Sequence, residues 1–250
     1  MPAPVWRLFP LLVALMAFPA GSMHAGARVT SSADSRPAAH PAAAWRNMAA
    51  LGSVDADVFD LALGAADCAV RAQAVADPAT LTIIDYSKPS KEQRLWVYDL
   101  RTRRLLYEEL VAHGQGSGGD IATLFSNQPA SHRTSLGLFV TADTYVGSNG
   151  YSLRLDGLES GFNDRARERA IVMHGAPYVD PGFVRAAGRL GRSWGCPALR
   201  PAVARELIDT IKGGGLIFAY YPDPDWLAGS KYLGGCAAQT AALSTALPAA

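Results

Sequence analysis

The sequence predicts a β-rich, mostly antiparallel domain with one helix ahead of its strands and a short helix near its end. Short runs of β-branched, aromatic and leucine residues recur between turn-forming residues, as half-buried strands do. Helical spacing appears in two places: Phe59, Leu63, Ala66 and Val70 make one apolar stripe, and Val203, Leu207 and Ile211 another. Many strands with few helices describe a sheet-dominated layer.

The first helix is expected over about 53–73, with Ser53 as its N-cap. Strands are expected at Leu81–Ile84, Arg94–Asp99, Leu105–Ala112, Gly137–Ala142, Ser152–Asp156, Ile171–His174 and Leu216–Tyr221. The turn Arg101-Thr102-Arg103 joins two of them as a hairpin. The second helix is expected from Pro201 to Lys212, since proline suits a first helical turn, and Gly213 stops it.

Residues 1–25 resemble a secretory signal peptide: Arg7, an apolar run from Leu8 to Phe18, then small residues through Ala25. That run is shorter than the roughly 20 residues a bilayer span needs. A linker at 26–50, rich in Ala, Pro and Ser, and a tail at 237–250 lack the large apolar groups that offset ordering entropy, so both are expected to be disordered. The folded part is placed at 51–236. A protein outside the cytoplasm follows, with no stable membrane span once the signal is cleaved. The net charge of +1 in 250 residues gives no support for a nucleic-acid binder. Neither H-E-x-x-H nor paired C-x-x-C occurs, so no metal and no cofactor is expected.

Gly114-Gln115-Gly116-Ser117-Gly118-Gly119 matches G-x-G-x-x-G, but no helix pattern follows it directly, so it reads as a flexible loop. His113 and His132, in polar loops, read as surface histidines, with His113 a possible cleft residue. The informative stretch is Ile171-Val172-Met173-His174-Gly175 followed by Gly191-Arg192-Ser193-Trp194-Gly195-Cys196-Pro197-Ala198-Leu199-Arg200. His174 ends an apolar strand. Cys196 lies between glycine, which permits close backbone approach, and proline, which lacks an N–H. A thiol gains nucleophilicity from a neighbouring histidine. Trp194, Gly195 and Cys196 are the available oxyanion N–H donors. The thiol is expected to face an open cleft.

His-Gly followed by Ser-x-Gly-Cys resembles the signature of YkuD-like L,D-transpeptidases, and Gly-Arg-Ser-x-Gly-Cys-Pro-Ala is similar to the murein L,D-transpeptidase subgroup. The similarity extends through Ile84-Asp85-Tyr86-Ser87, Leu95–Leu100, Ser152–Glu159, Gly161–Asp164 and Tyr220–Asp223. Pro197 and Ala198 stand where the broader pattern has an aliphatic residue and then arginine; here the next arginine is Arg200.

The resemblance implies a cysteine acyltransferase acting on peptidoglycan stem peptides in the cell envelope, working as a monomer. Cys196 would be nucleophile, His174 base, and the Gly175 carbonyl the orienting group. Ser193, Trp194, Gly195, Arg192 and Arg200 are the candidate oxyanion and substrate residues, with Arg185 and Arg189 nearby. The rivals are a hydrolase using the same site, an amidase or carboxypeptidase, and a non-catalytic wall-binding module. If Cys196 must stay free to react, Cys68 and Cys236 are the only intramolecular pair among the three cysteines.

Overall fold

The computed structural model describes residues 51–233 and Cys236. The signal-peptide, linker and tail expectations fall outside these residues. Helix α1 spans Ala56–Arg71, shorter than expected at both ends. Its cap is Asp55, whose carboxylate accepts from the Asp57 and Val58 N–H groups at 2.9 and 3.2 Å. Ser53, the expected cap, instead turns its hydroxyl and N–H to the Glu108 carboxylate. A long-range acceptor has displaced the local one. Phe59, Leu63 and Ala66 are buried as their spacing requires, together with Val58, Ala62, Ala65, Cys68 and Ala69.

The strands are β1 (Thr80–Asp85), β2 (Leu95–Asp99), β3 (Arg104–Glu109), β4 (Val111–Ala112), β5 (Gly137–Gly147), β6 (Gly150–Gly157), β7 (Val172–Gly175), β8 (Ala198–Leu199) and β9 (Leu216–Tyr220). They form one mixed sheet in the order β3-β2-β1-β9-β5-β6-β7-β8-β4. Only β1 with β9 and β7 with β8 run parallel; the other pairings are antiparallel. Every residue of β1 is buried, as a central strand covered on both faces demands.

Three features depart from the expected elements. The run Leu105–Ala112 breaks at Leu110 into β3 and β4, which pair with opposite ends of the sheet. Helix α2 (Pro181–Ala187) buries none of its residues, so it carries no apolar stripe; its ends are set by Asp180 and by Gly188 at φ 72°. Helix α4 (Pro224–Gly229) is a short turn capped by Asp223 that buries only Trp226. Helix α3 (Pro201–Ile211) forms as expected and buries Ala204, Leu207, Ile208 and Ile211.

Cys68 of α1 is disulfide-bonded to Cys236, with Cα atoms 5.7 Å apart. The bond ties the helix to the chain beyond α4 across 168 residues. In the chain-entropy model a loop of that length is worth about 5 kcal/mol.

Glu159, just after β6, holds three elements together while only 2% exposed. One carboxylate oxygen accepts from the Leu138 N–H of β5 at 2.7 Å, the other from the Trp226 indole N–H at 3.1 Å. Burial pushes its pKa up, and the hydrogen bonds from Ser230, Leu138 and Trp226 oppose that. Glu159→Ala strands these buried donors, each worth about 1–3 kcal/mol. A loss on the order of 3 kcal/mol is expected in a denaturant melt; a loss under about 1 kcal/mol would show that water replaces the carboxylate.

Candidate active site

The site is built where β7 and β8 meet. In their parallel register His174 faces Ala198 and Gly175 faces Leu199, so Cys196 enters β8 two residues before the partner of His174. The tight turn from Asn163 to Ala170 feeds β7, and Ala170 closes it at φ 52°. That turn brings the backbone of 170–172 against the sulfur. The Cys196 thiol donates to the Ala170 carbonyl at 3.7 Å, and the Val172 N–H donates to Sγ at 3.5 Å.

The expectation of a surface-facing thiol is corrected here: Cys196 is only 8% exposed. Its loop is polar in sequence, but the fold presses it onto the start of β7. Burial raises the thiol pKa; the Val172 N–H and the positive charge of Arg169 pull it down. Burial also holds the imidazole of His174 below the ordinary histidine value, opposed by the Gly175 carbonyl. At neutral pH the pair therefore rests as thiol and neutral imidazole.

The His174 tautomer follows from its partner. Nδ1 lies 2.9 Å from the Gly175 carbonyl oxygen. A carbonyl only accepts, so Nδ1 carries the proton and Nε2 is left with a basic lone pair. Gly175 itself packs against α3: a Cβ there would sit 3.0 Å from that of Ala204.

Ser193 and Gly195 shape the loop that carries Cys196. The Ser193 hydroxyl donates to the Cys196 carbonyl at 2.6 Å and accepts from the Gly195 N–H at 3.1 Å. This bracket commits the Gly195 N–H, one of the three expected oxyanion donors. Gly195 adopts φ 119°, and a Cβ would meet the Arg133 carbonyl oxygen at 2.8 Å and Ile171 Cδ1 at 3.0 Å. Only glycine fits there. On its other side stands Gly114, whose Cβ would come within 2.8 Å of the Gly195 Cα. The G-x-G-x-x-G stretch is thus a packed support: Gly114 bridges Ser193, and Gln115–Ser117 form a 3₁₀ turn.

The remaining candidates separate. Trp194 is 72% exposed, with its ring stacked on His132 at 5.0 Å. The Arg192 guanidinium donates to the Gly118 carbonyl at 2.7 Å, and that of Arg189 to the Leu190 carbonyl at 2.7 Å. Arg185 lies in the last turn of α2. Arg200 is engaged by the Glu109 carboxylate through two hydrogen bonds, at 2.9 and 2.7 Å, which gives it a structural partner.

Two supporting residues escaped the sequence reading. His113 is fully buried, which corrects its placement on the surface. Arg94, also fully buried, donates to its Nδ1 at 2.8 Å, to the Val111 carbonyl and to the Lys88 carbonyl. Burial and the adjacent Arg94 cation hold the His113 pKa down to about 4, so it is neutral. The His113 carbonyl accepts from the Ser193 N–H at 2.9 Å, which links this buried pair to the loop that carries Cys196. Only the sheet pairing reveals this link.

The fold and site define a mixed-sheet domain with an imidazole on β7 and a thiol in the loop that enters the adjoining parallel strand β8. The chain belongs to the L,D-transpeptidase catalytic domain family, whose model matches residues 51–220. Similar solved structures include an L,D-transpeptidase from Mycobacterium smegmatis, at 16% identity and TM-score 0.35, covering 57% of this chain and 59% of that one. Another from Stackebrandtia nassauensis has 16% identity and TM-score 0.35, covering 66% and 68%. The helical cell shape determining protein Pgp2 from Campylobacter jejuni has 13% identity and TM-score 0.39, covering 59% and 49%. This chain therefore spans about three-fifths of the Mycobacterium smegmatis protein. No curated protein matches. Among the described residues no helix is long and apolar enough to cross a membrane, and no cluster of His, Cys, Asp or Glu could hold a metal ion.

Proposed function

We propose that this chain is a peptidoglycan L,D-transpeptidase that works through a Cys196 thioester, with His174 as proton carrier. The observation that carries the proposal is the Nδ1–Gly175 carbonyl bond, which leaves Nε2 as a base one strand away from the thiol loop. Family membership supports stem peptides as the substrate class.

The thiol rests against the Ala170 carbonyl and must turn its proton toward Nε2 to react. Sulfur then adds to the carbonyl after diaminopimelate in a tetrapeptide donor, as the proton passes to Nε2. The Trp194 and Cys196 N–H groups stabilise the oxyanion, since the Gly195 N–H is committed to Ser193. The C–N bond breaks, and imidazolium protonates the departing D-alanine. An acceptor amine gives its proton back to His174, attacks the thioester and frees the thiol. Both groups come from one chain, so we take the monomer as the working unit. The Cys68–Cys236 bond suits an oxidising compartment such as the periplasm.

The test is to incubate the protein with a tetrapeptide donor and an amine acceptor and identify products by mass spectrometry. Released D-alanine with a matching donor–acceptor adduct is expected. Released D-alanine with only the free tripeptide would assign a hydrolase to this site. No release would point to a binding module.

A further inference from the structure

The turn that feeds β7 carries a cation whose position the proposed chemistry does not yet use. Arg169 immediately precedes Ala170, the acceptor of the thiol, and its side chain folds under the nucleophile loop. Its guanidinium donates to the carbonyls of Ser126 and Arg133, at 2.7 and 2.6 Å, and to the hydroxyls of Ser135 and Ser131. All four acceptors are neutral. A cation held by neutral oxygens keeps its net charge, whereas a carboxylate partner would neutralise it. Nη2 also lies 3.4 Å from where a Cβ on Gly195 would stand, so the charge sits directly behind the residue preceding Cys196.

We propose that Arg169 is a positioning residue of this site, clamping the 126–135 segment against Gly195 and turning an uncancelled positive charge toward Cys196 to favour its thiolate. This rests on Cys196 being the reactive group. Other titratable groups near the sulfur are His174 on β7, Tyr178 in the loop after it and Tyr86 after β1. Both tyrosines have raised pKa values and are neutral at pH 7. His174 is neutral there too. Arg165, a cation on the same turn, is paired with Glu168 at 2.8 Å. Arg169 is thus the cation whose charge acts on the thiol. The thiol shift agrees in direction, with Arg169 lowering what burial raises.

The experiment is alkylation of Cys196 by iodoacetamide as a function of pH, in the wild type, Arg169→Gln and Arg169→Lys. Cys196→Ala serves as blank and the disulfide is left intact. The position of the pH limb, not the absolute rate, is read, so a change in exposure does not mimic the result. Thermal melts are run in parallel. Arg169→Gln should move the limb upward by about one unit, which slows labelling at pH 7 about tenfold, while Arg169→Lys should stay close to the wild type. A folded Arg169→Gln with an unmoved limb overturns the proposal and leaves Arg169 a purely structural clamp. If Arg169→Gln does not fold, Arg169→Lys decides: a limb at the wild-type position supports a charge effect, and one shifted upward overturns it. Iodoacetamide needs no peptidoglycan substrate, so failure here is distinct from failure of the transpeptidase reading.

Discussion

Cys196→Ala is expected to remove thioester formation entirely while leaving the domain folded. No other side chain on β7 or β8 offers a nucleophile at that place, and the other two cysteines are bonded to each other. Because the thiol is buried against Ala170 and Val172, its loss leaves a small cavity, worth about 1 kcal/mol. The melting temperature should fall by a few degrees at most. A thermal melt checks the fold and intact-protein mass spectrometry after mixing with a tetrapeptide donor checks the chemistry, since a folded variant that still gains the acyl mass would place the nucleophile elsewhere.

His174→Gln is expected to slow acylation by about 10²–10⁴-fold, the usual worth of a positioned base. Glutamine can keep a hydrogen bond to the Gly175 carbonyl but cannot accept the thiol proton into an imidazole. The pH profile carries the sign. The proposed base role needs neutral His174, so the acid limb of acylation should rise as pH rises through the histidine pKa. Burial lowers that pKa, which puts the limb below pH 6.5. In His174→Gln the limb should vanish and the rate should follow thiol ionisation at higher pH. Rapid-quench acylation rates within a few-fold of the wild type would make His174 structural.

Much of the sheet could be read from local pattern. The hairpin of β2 and β3 is announced by Trp96, Val97 and Tyr98, then Arg101-Thr102-Arg103, because a hairpin satisfies its own hydrogen bonds within a short stretch. Helix α3 announces itself through proline and a three-four stripe. The placement of α1's cap did not, because Glu108 lies 55 residues from Ser53 and takes its hydroxyl. Helix α2 escaped because an element with no buried face leaves no periodicity, and only the structure shows Asp180 and Gly188 as its caps.

The same distinction governs the site. Cys196 and His174 stood out because glycine and proline around a thiol constrain its backbone in one short motif. Burial of the thiol, the Arg94–His113 pair and Arg169 all depend on chain segments far apart in sequence. His113, followed by Gly114, looks like an exposed loop histidine until β4 pairs with β8 and covers it. Arg169 looks like one more surface charge in a run that includes Arg165 and Arg167. Folding the turn under Gly195 is what separates it from them.

The central claim, a thiol activated by His174, is tested most directly with a carbapenem, whose strained lactam an activated thiolate opens to give a stable acyl-enzyme. At pH 7 the wild type should gain the mass of one carbapenem, Cys196→Ala none, and His174→Gln the same adduct at least tenfold more slowly. Equal labelling rates in the wild type and His174→Gln would contradict it, leaving Cys196 an ordinary thiol whose reactivity follows only its own ionisation.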